Sequence, residues 1–148
     1  MKEIILQLAR NKILLTTLSA WFIAQAIKVL LGVVRNKKVD FRLFVGTGGM
    51  PSSHAAVASC LAAAVGFECG FDTVYFALAA SFAIVVMFDA QGVRRATGRQ
   101  ARILNKITED IYWKGKIHEG RLRELVGHTP IEVLVGCFLG TLIALIAH

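Results

Sequence analysis

Proline is nearly absent from this chain, with two residues in 148, so little interrupts the apolar runs that fill most of it. Both prolines, Pro51 and Pro130, stand where a helix would begin rather than inside one. Cysteine is scarce as well. Cys60, Cys69 and Cys137 show no Cys-x-x-Cys spacing and no pattern shared with histidine, which argues against a disulfide framework or a zinc site and leaves them as packing residues. Acidic residues are few, 10 against 17 lysines and arginines, for a net charge of +7. A basic balance can serve nucleic acid, anionic lipid headgroups or phosphorylated substrates. The chain lacks the interleaved aromatic and basic residues of a nucleic-acid binder, so no nucleic-acid partner is expected. It also lacks internal repeats and low-complexity tracts. What it has in abundance is apolar surface: 55% of the residues, too much for an ordinary soluble domain of this length. The expected solvent is lipid, and the expected organisation is one transmembrane domain over 1–148.

Four apolar segments carry that expectation. Residues 13–34 contain one charge, Lys28, and no proline. Ala24-Gln25-Ala26 within them has the form of a signal-peptidase site, but the run continues to Val34. That is longer than a signal-peptide core of roughly 7–15 residues and near the ~20 needed to span, so an uncleaved helix is expected. Residues 51–67 are rich in alanine and serine, which lets membrane helices approach closely. Residues 71–88 and 131–147 complete an all-α integral membrane bundle of about four transmembrane helices. Between the third and fourth, Ile103, Leu104, Ile107 and Ile111 recur at helical spacing opposite Arg102, Lys106, Glu109 and Asp110, which predicts an amphipathic polar helix. The connections after the first and third segments hold most of the basic residues, whereas the other face holds Lys2, Arg10 and Lys12 with an acidic turn at Glu68 and Asp72. The positive-inside rule then makes the basic face cytoplasmic and puts both termini outside.

Four helix ends on that basic face carry residues suited to a phosphate. Gly48-Gly49-Met50-Pro51-Ser52-Ser53-His54 opens the second segment. A helix start offers unpaired N–H groups and the positive end of the macrodipole, and the glycines, serines and His54 add backbone access, donors and a proton titrating near neutral pH. A plain loop with proline and serine caps would read the same way. Gly127-His128-Thr129-Pro130-Ile131-Glu132 opens the fourth segment. His128 and Glu132, four apart on a helix, can hold an imidazole in one tautomer and leave its other nitrogen as nucleophile or base. Thr129 and Glu132 equally form a capping box, which accounts for the glutamate without the histidine. Lys28 lies inside an apolar run with Arg35 seven residues on; snorkelling explains Lys28 alone, and a shared phosphate explains both. Asp89 closes the third segment and is followed by Arg94 and Arg95, suited to bidentate phosphate contact or to a basic cytoplasmic anchor.

With these residues in view, the chain resembles the type 2 phosphatidic acid phosphatase superfamily, related to vanadium haloperoxidases and bacterial acid phosphatases, and within it a small divergent membrane branch. Lys28 and Arg35 match the two cations of the first family motif, with Asn36 where proline is usual. Pro51-Ser52-Ser53-His54 matches Pro-Ser-Gly-His, with Ser53 for glycine. His128 and Glu132 match the final pair of the third motif, with glutamate for aspartate, while Leu122 stands at its arginine position. Arg94 is the expected substitute for that arginine, with Arg95, Arg121 and Arg123 as competitors. The resemblance implies hydrolysis of a lipid phosphomonoester or an isoprenyl phosphate or diphosphate through a phosphohistidine, with neither metal nor other cofactor. In that reading His128 is the nucleophile, Glu132 orients it and His54 is the general acid. Lys28, Arg35, Gly49, Ser52, Ser53, Asp89, Arg94 and Arg95 form the phosphate-binding surround. The expected partners are a lipid phosphate and membrane lipids, with homo-oligomerisation left open, in a bacterial-type cell membrane or its organelle equivalent. A noncatalytic protein that binds or translocates an anionic lipid is the alternative. A haloperoxidase shares the anion pocket but needs bound vanadate and an oxidisable halide, for which a lipid-embedded core is less suited.

Overall fold

The computed structural model describes residues 1–36, 49–92, 98, 100–101, 103–105, 107 and 128–148, with backbone alone at 35–36. The described chain forms α1 (Lys2–Arg10), α2 (Lys12–Asn36), α3 (Ser53–Cys69), α4 (Val74–Gln91) and α5 (Pro130–Ala147). Three stretches are long and apolar enough to cross a membrane: Lys12–Val34, Val74–Gln91 and Pro130–Ala147. The fourth apolar helix, α3, has 17 residues, which at 1.5 Å each is about 26 Å, short of the ~30 Å hydrocarbon core. The all-α membrane bundle read from the sequence is therefore present, with α3 shorter by one residue than α4 and α5 and all three well short of the 25-residue α2. The third segment is shifted a few residues toward the C-terminus because Thr73 caps α4, its hydroxyl accepting the Phe76 N–H at 3.3 Å. Of the amphipathic stretch between α4 and α5, residues 98, 100–101, 103–105 and 107 are helical, and Ile103, Leu104 and Ile107 are exposed. The rest of that stretch lies outside the described residues.

The short helix is the central one. α3 packs against α2, α4 and α5, α2 also meets α5, and α4 touches α5 lightly. Composition explains this arrangement. The buried positions of α3 are Ser53, Ala55, Ala56, Ala58, Ser59, Cys60, Ala64 and Gly66, small enough for backbones to approach, and the central cluster is Ala20, Cys60, Ala64 and Ala144. Large apolar side chains point the other way: Leu30, Phe82, Val85, Phe88, Leu134, Phe138 and Ile146 are all more than half exposed. Such an exterior would be an aggregation surface in water, and in a bilayer it faces acyl chains.

The α3–α5 contact is the closest in the bundle. A Cβ added to Gly136 would run into the Ser52 carbonyl oxygen, and one added to Gly140 into the Ala56 carbonyl oxygen and the Ser59 hydroxyl. The Ser59 hydroxyl lies 2.7 Å from the Ala55 carbonyl and 3.3 Å from the Ala56 carbonyl of its own helix, and 3.0 Å from the Cys137 carbonyl of α5, so three acceptors compete for its one proton. Interhelical bonds of this type are worth about 0.6 kcal/mol in a membrane. The glycines matter more, because they set the separation at which that bond forms.

Candidate active site

Two backbone hydrogen bonds draw three helix ends together. The Ser52 N–H donates to the Glu132 carbonyl at 3.0 Å, joining the starts of α3 and α5, and the His128 N–H donates to the Ala90 carbonyl at 3.1 Å, joining the start of α5 to the end of α4. The C-terminal part of α2 completes the group through Gly49. This residue has φ +83°, and a Cβ there would meet the Lys28 stem at 3.6 Å. That contact is ordinary, so the requirement for glycine comes from the backbone conformation. Gly49→Ala is expected to lower stability by about 1–2 kcal/mol, read as a fall in thermal midpoint of the detergent-solubilised protein.

Ser52 is fully buried and is the N-cap of α3, its hydroxyl accepting the Ala55 N–H at 3.3 Å. Its oxygen is occupied in holding the helix start. Ser53, the first residue of α3, is also buried, and His54 follows it half-buried. The His54 and His128 rings are neighbours, with centroids 6.1 Å apart and planes tilted by 58°. The starts of two separate spans therefore bring two imidazoles side by side.

His128 has 2% of its surface exposed and is the largest fully buried side chain among the described residues. Its Nδ1 lies 3.0 Å from Glu132 Oε2, and the same oxygen accepts the Thr129 N–H at 3.1 Å. Thr129 returns the contact, its hydroxyl accepting the Glu132 N–H at 3.3 Å. The capping box and the imidazole-carboxylate pair are thus both present, built on one carboxylate oxygen. A carboxylate at Nδ1 favours the tautomer with the proton there, which leaves Nε2 with its lone pair free to attack or to accept a proton. Lys28 is only 4% exposed, and its stem lies against Gly49 at the mouth of α3. A buried ammonium is costly in a membrane helix, which marks the position for a role beyond packing.

Glu132 does two tasks that substitutions can separate. Thr129→Ala removes only the cap and is expected to cost about 1 kcal/mol of stability with little change at His128. Glu132→Gln keeps an oxygen that can accept the Thr129 N–H but removes the charge that orients and stabilises the imidazole. The cap should therefore survive while any chemistry at His128 falls by up to roughly 10⁴-fold, the scale seen when such a carboxylate is neutralised. Thermal midpoint and turnover, measured on both variants, check the separation.

The remaining sequence candidates are placed as follows. Asp89 is exposed at the end of α4, beside the Ala90 carbonyl that His128 uses. Arg35 lies two turns beyond Lys28 in α2, where only the backbone is described. Arg94 and Arg95, with Arg121 and Arg123, lie outside the described residues. One contributor was not singled out from the sequence, the Ala90 carbonyl, which has no sequence signature. Gln25, buried at 4% exposure one turn before Lys28 in α2, was passed over as well. Its signal was present as a polar residue inside an apolar run, hidden by the peptidase-like Ala24-Gln25-Ala26.

The model of the Divergent PAP2 family matches residues 9–143, and the chain belongs to that family. It is similar to the uncharacterized membrane protein YuiD of Bacillus subtilis (strain 168), with 41% identity over 152 residues covering 95% of this chain and 96% of that protein. No solved structure matches. The chain is thus an integral membrane protein related to the type 2 phosphatidic acid phosphatases.

Proposed function

We propose that the protein is a membrane lipid phosphatase that hydrolyses a lipid phosphomonoester or an isoprenyl phosphate or diphosphate through a phosphohistidine on His128. The observation that carries this reading is the pairing of a buried, carboxylate-held His128 with a second imidazole, His54, whose ring centroid is 6.1 Å away. In the first step Nε2 of His128 attacks phosphorus. The bond to the leaving oxygen breaks, and His54 delivers a proton to that oxygen. In the second step His54, now neutral, takes a proton from water as the water oxygen attacks phosphorus, releasing inorganic phosphate and restoring His128. Lys28 and the first amides of α3 offset charge on the nonreacting oxygens, aided by the arginines at 35, 94 and 95. On this reading no metal or other cofactor takes part, and the site opens to the cytoplasmic face, where the basic connections lie.

The test is release of inorganic phosphate from a panel of lipid phosphates in detergent, without added metal, with and without vanadate. Turnover blocked by vanadate is the expected result. Lipid phosphate binding that is equal in the unmodified protein and in a His54→Ala/His128→Ala variant, with no turnover by either, would instead identify a protein that binds or moves anionic lipid.

A further inference from the structure

We propose that α1 is an in-plane anchor, laying its apolar face into the boundary between headgroups and acyl chains and its cations on anionic headgroups. This surface lies at the opposite end of the bundle from His54 and His128. The N-terminal end of α2, at Lys12, lines a cleft with Glu68 at the end of α3 and His148 beyond α5. The inference is independent of the proposed chemistry.

Three observations support it. At helical spacing, Ile4, Ile5 and Leu8, with the N-cap Met1, fall on one side of α1, and Glu3, Gln7 and Arg10 fall on the other with a single leucine, Leu6. No residue of α1 is buried, and Ile4, Ile5 and Leu8 are 62%, 61% and 52% exposed. Among the described residues α1 touches only α2, and that slightly, so the described helices leave this face uncovered. Second, α1 is not the beginning of the span. Asn11 leaves helical geometry at φ −75°, ψ 97°, and its Oδ1 accepts the Leu14 N–H at 3.0 Å to start α2 anew. Nine residues make about 14 Å of helix, far too short to cross. Third, one residue separates α1 from a membrane-spanning helix, which fixes it at headgroup depth. There Lys2, Arg10 and Lys12 outnumber Glu3 and complement an anionic surface.

The test places a nitroxide at position 8 or 7, through Leu8→Cys or Gln7→Cys, in the full chain with its three native cysteines replaced. The protein is reconstituted into phosphatidylcholine vesicles with or without phosphatidylglycerol. At position 8, accessibility to oxygen is expected to exceed accessibility to an aqueous nickel chelate severalfold, with the reverse at position 7. Phosphatidylglycerol should immobilise α1 further, and Lys2→Gln/Arg10→Gln/Lys12→Gln should abolish that lipid effect while keeping the contrast between positions. Equal water exposure at both positions would overturn the proposal. So would shielding of position 8 from both reagents, the mark of a second copy or another protein on this face, and so would indifference to phosphatidylglycerol. Because Cys60 is a core residue, amide exchange on the unmodified chain in the same vesicles gives a parallel readout. Protection of α1 that rises with phosphatidylglycerol is expected, and its absence would refute the anchor.

Discussion

His128→Asn is expected to abolish phosphate release from lipid phosphates, by at least roughly 10³-fold, the lower range for losing a nucleophile that acts with a partner base or acid. Asparagine is preferable to alanine here for a structural reason. Its amide N–H can replace Nδ1–H as donor to Glu132, so the carboxylate keeps both bonds and the buried volume stays largely filled, while the attacking nitrogen is gone. A folded, inactive variant therefore isolates the chemistry from the packing. His54→Ala should behave differently. A general acid contributes about 10²–10⁴-fold, and its contribution shrinks when the leaving oxygen needs no proton. The His54 defect should accordingly be larger with an alkyl phosphate than with a nitrophenyl phosphate, where only the loss of its base role in the second step remains, whereas the His128 defect should not depend on the leaving group. Turnover by His128→Asn at the rate of the unmodified protein would eliminate the phosphohistidine route.

The second large effect is expected from the α3–α5 seam. Gly140→Val places carbon where the Ala56 carbonyl and the Ser59 hydroxyl already stand, and backbone cannot move aside as a flexible side chain could. Overpacking of this kind costs about 1–3 kcal/mol even for small additions, and valine adds three carbons at the tightest point. The expected result is a protein that no longer runs as a single species in detergent. Gly140→Ala should retain the fold with a lowered thermal midpoint, and Leu145→Ala, on the exposed side of α5, should leave the midpoint nearly unchanged. If Gly140→Val were as stable as the unmodified chain, the helices would have to be farther apart than described. Gly136, one turn nearer the histidines, adds a prediction: Gly136→Ala should also reduce turnover, because the Ser52 carbonyl it would strike belongs to the residue that ties α3 to Glu132.

The sequence carried the bundle because the features that make it are local. Uninterrupted apolar runs, Ser52 and Thr129 as caps and Pro130 in the first turn of α5 each mark a helix without reference to any neighbour. The His128–Glu132 pair was legible for the same reason, since a four-residue spacing on a helix is itself a contact. What escaped was relational. Gly136 and Gly140 look like any glycines in an apolar run until the partner carbonyls are known. Two readings of Glu132 competed because sequence offers one role per pattern, whereas the geometry gives both to a single oxygen. α1 was hidden by its nearness to a longer apolar run, and only the break at Asn11 separates the two. The arginines at 94 and 95 sit in a connection whose geometry no local rule supplies.

The brevity of α3 has a consequence for water. A central helix a few ångströms shorter than the slab around it cannot keep both of its ends level with the surfaces. Ser52, Ser53 and His54, at its polar start, would then sit at the floor of a dimple that hydration can fill, with the longer α2 rising beside it. A lipid whose phosphate settled in such a dimple could keep its chains in oil and its ester linkage within reach of bulk solvent, so the attacking water would never have to be carried through hydrocarbon.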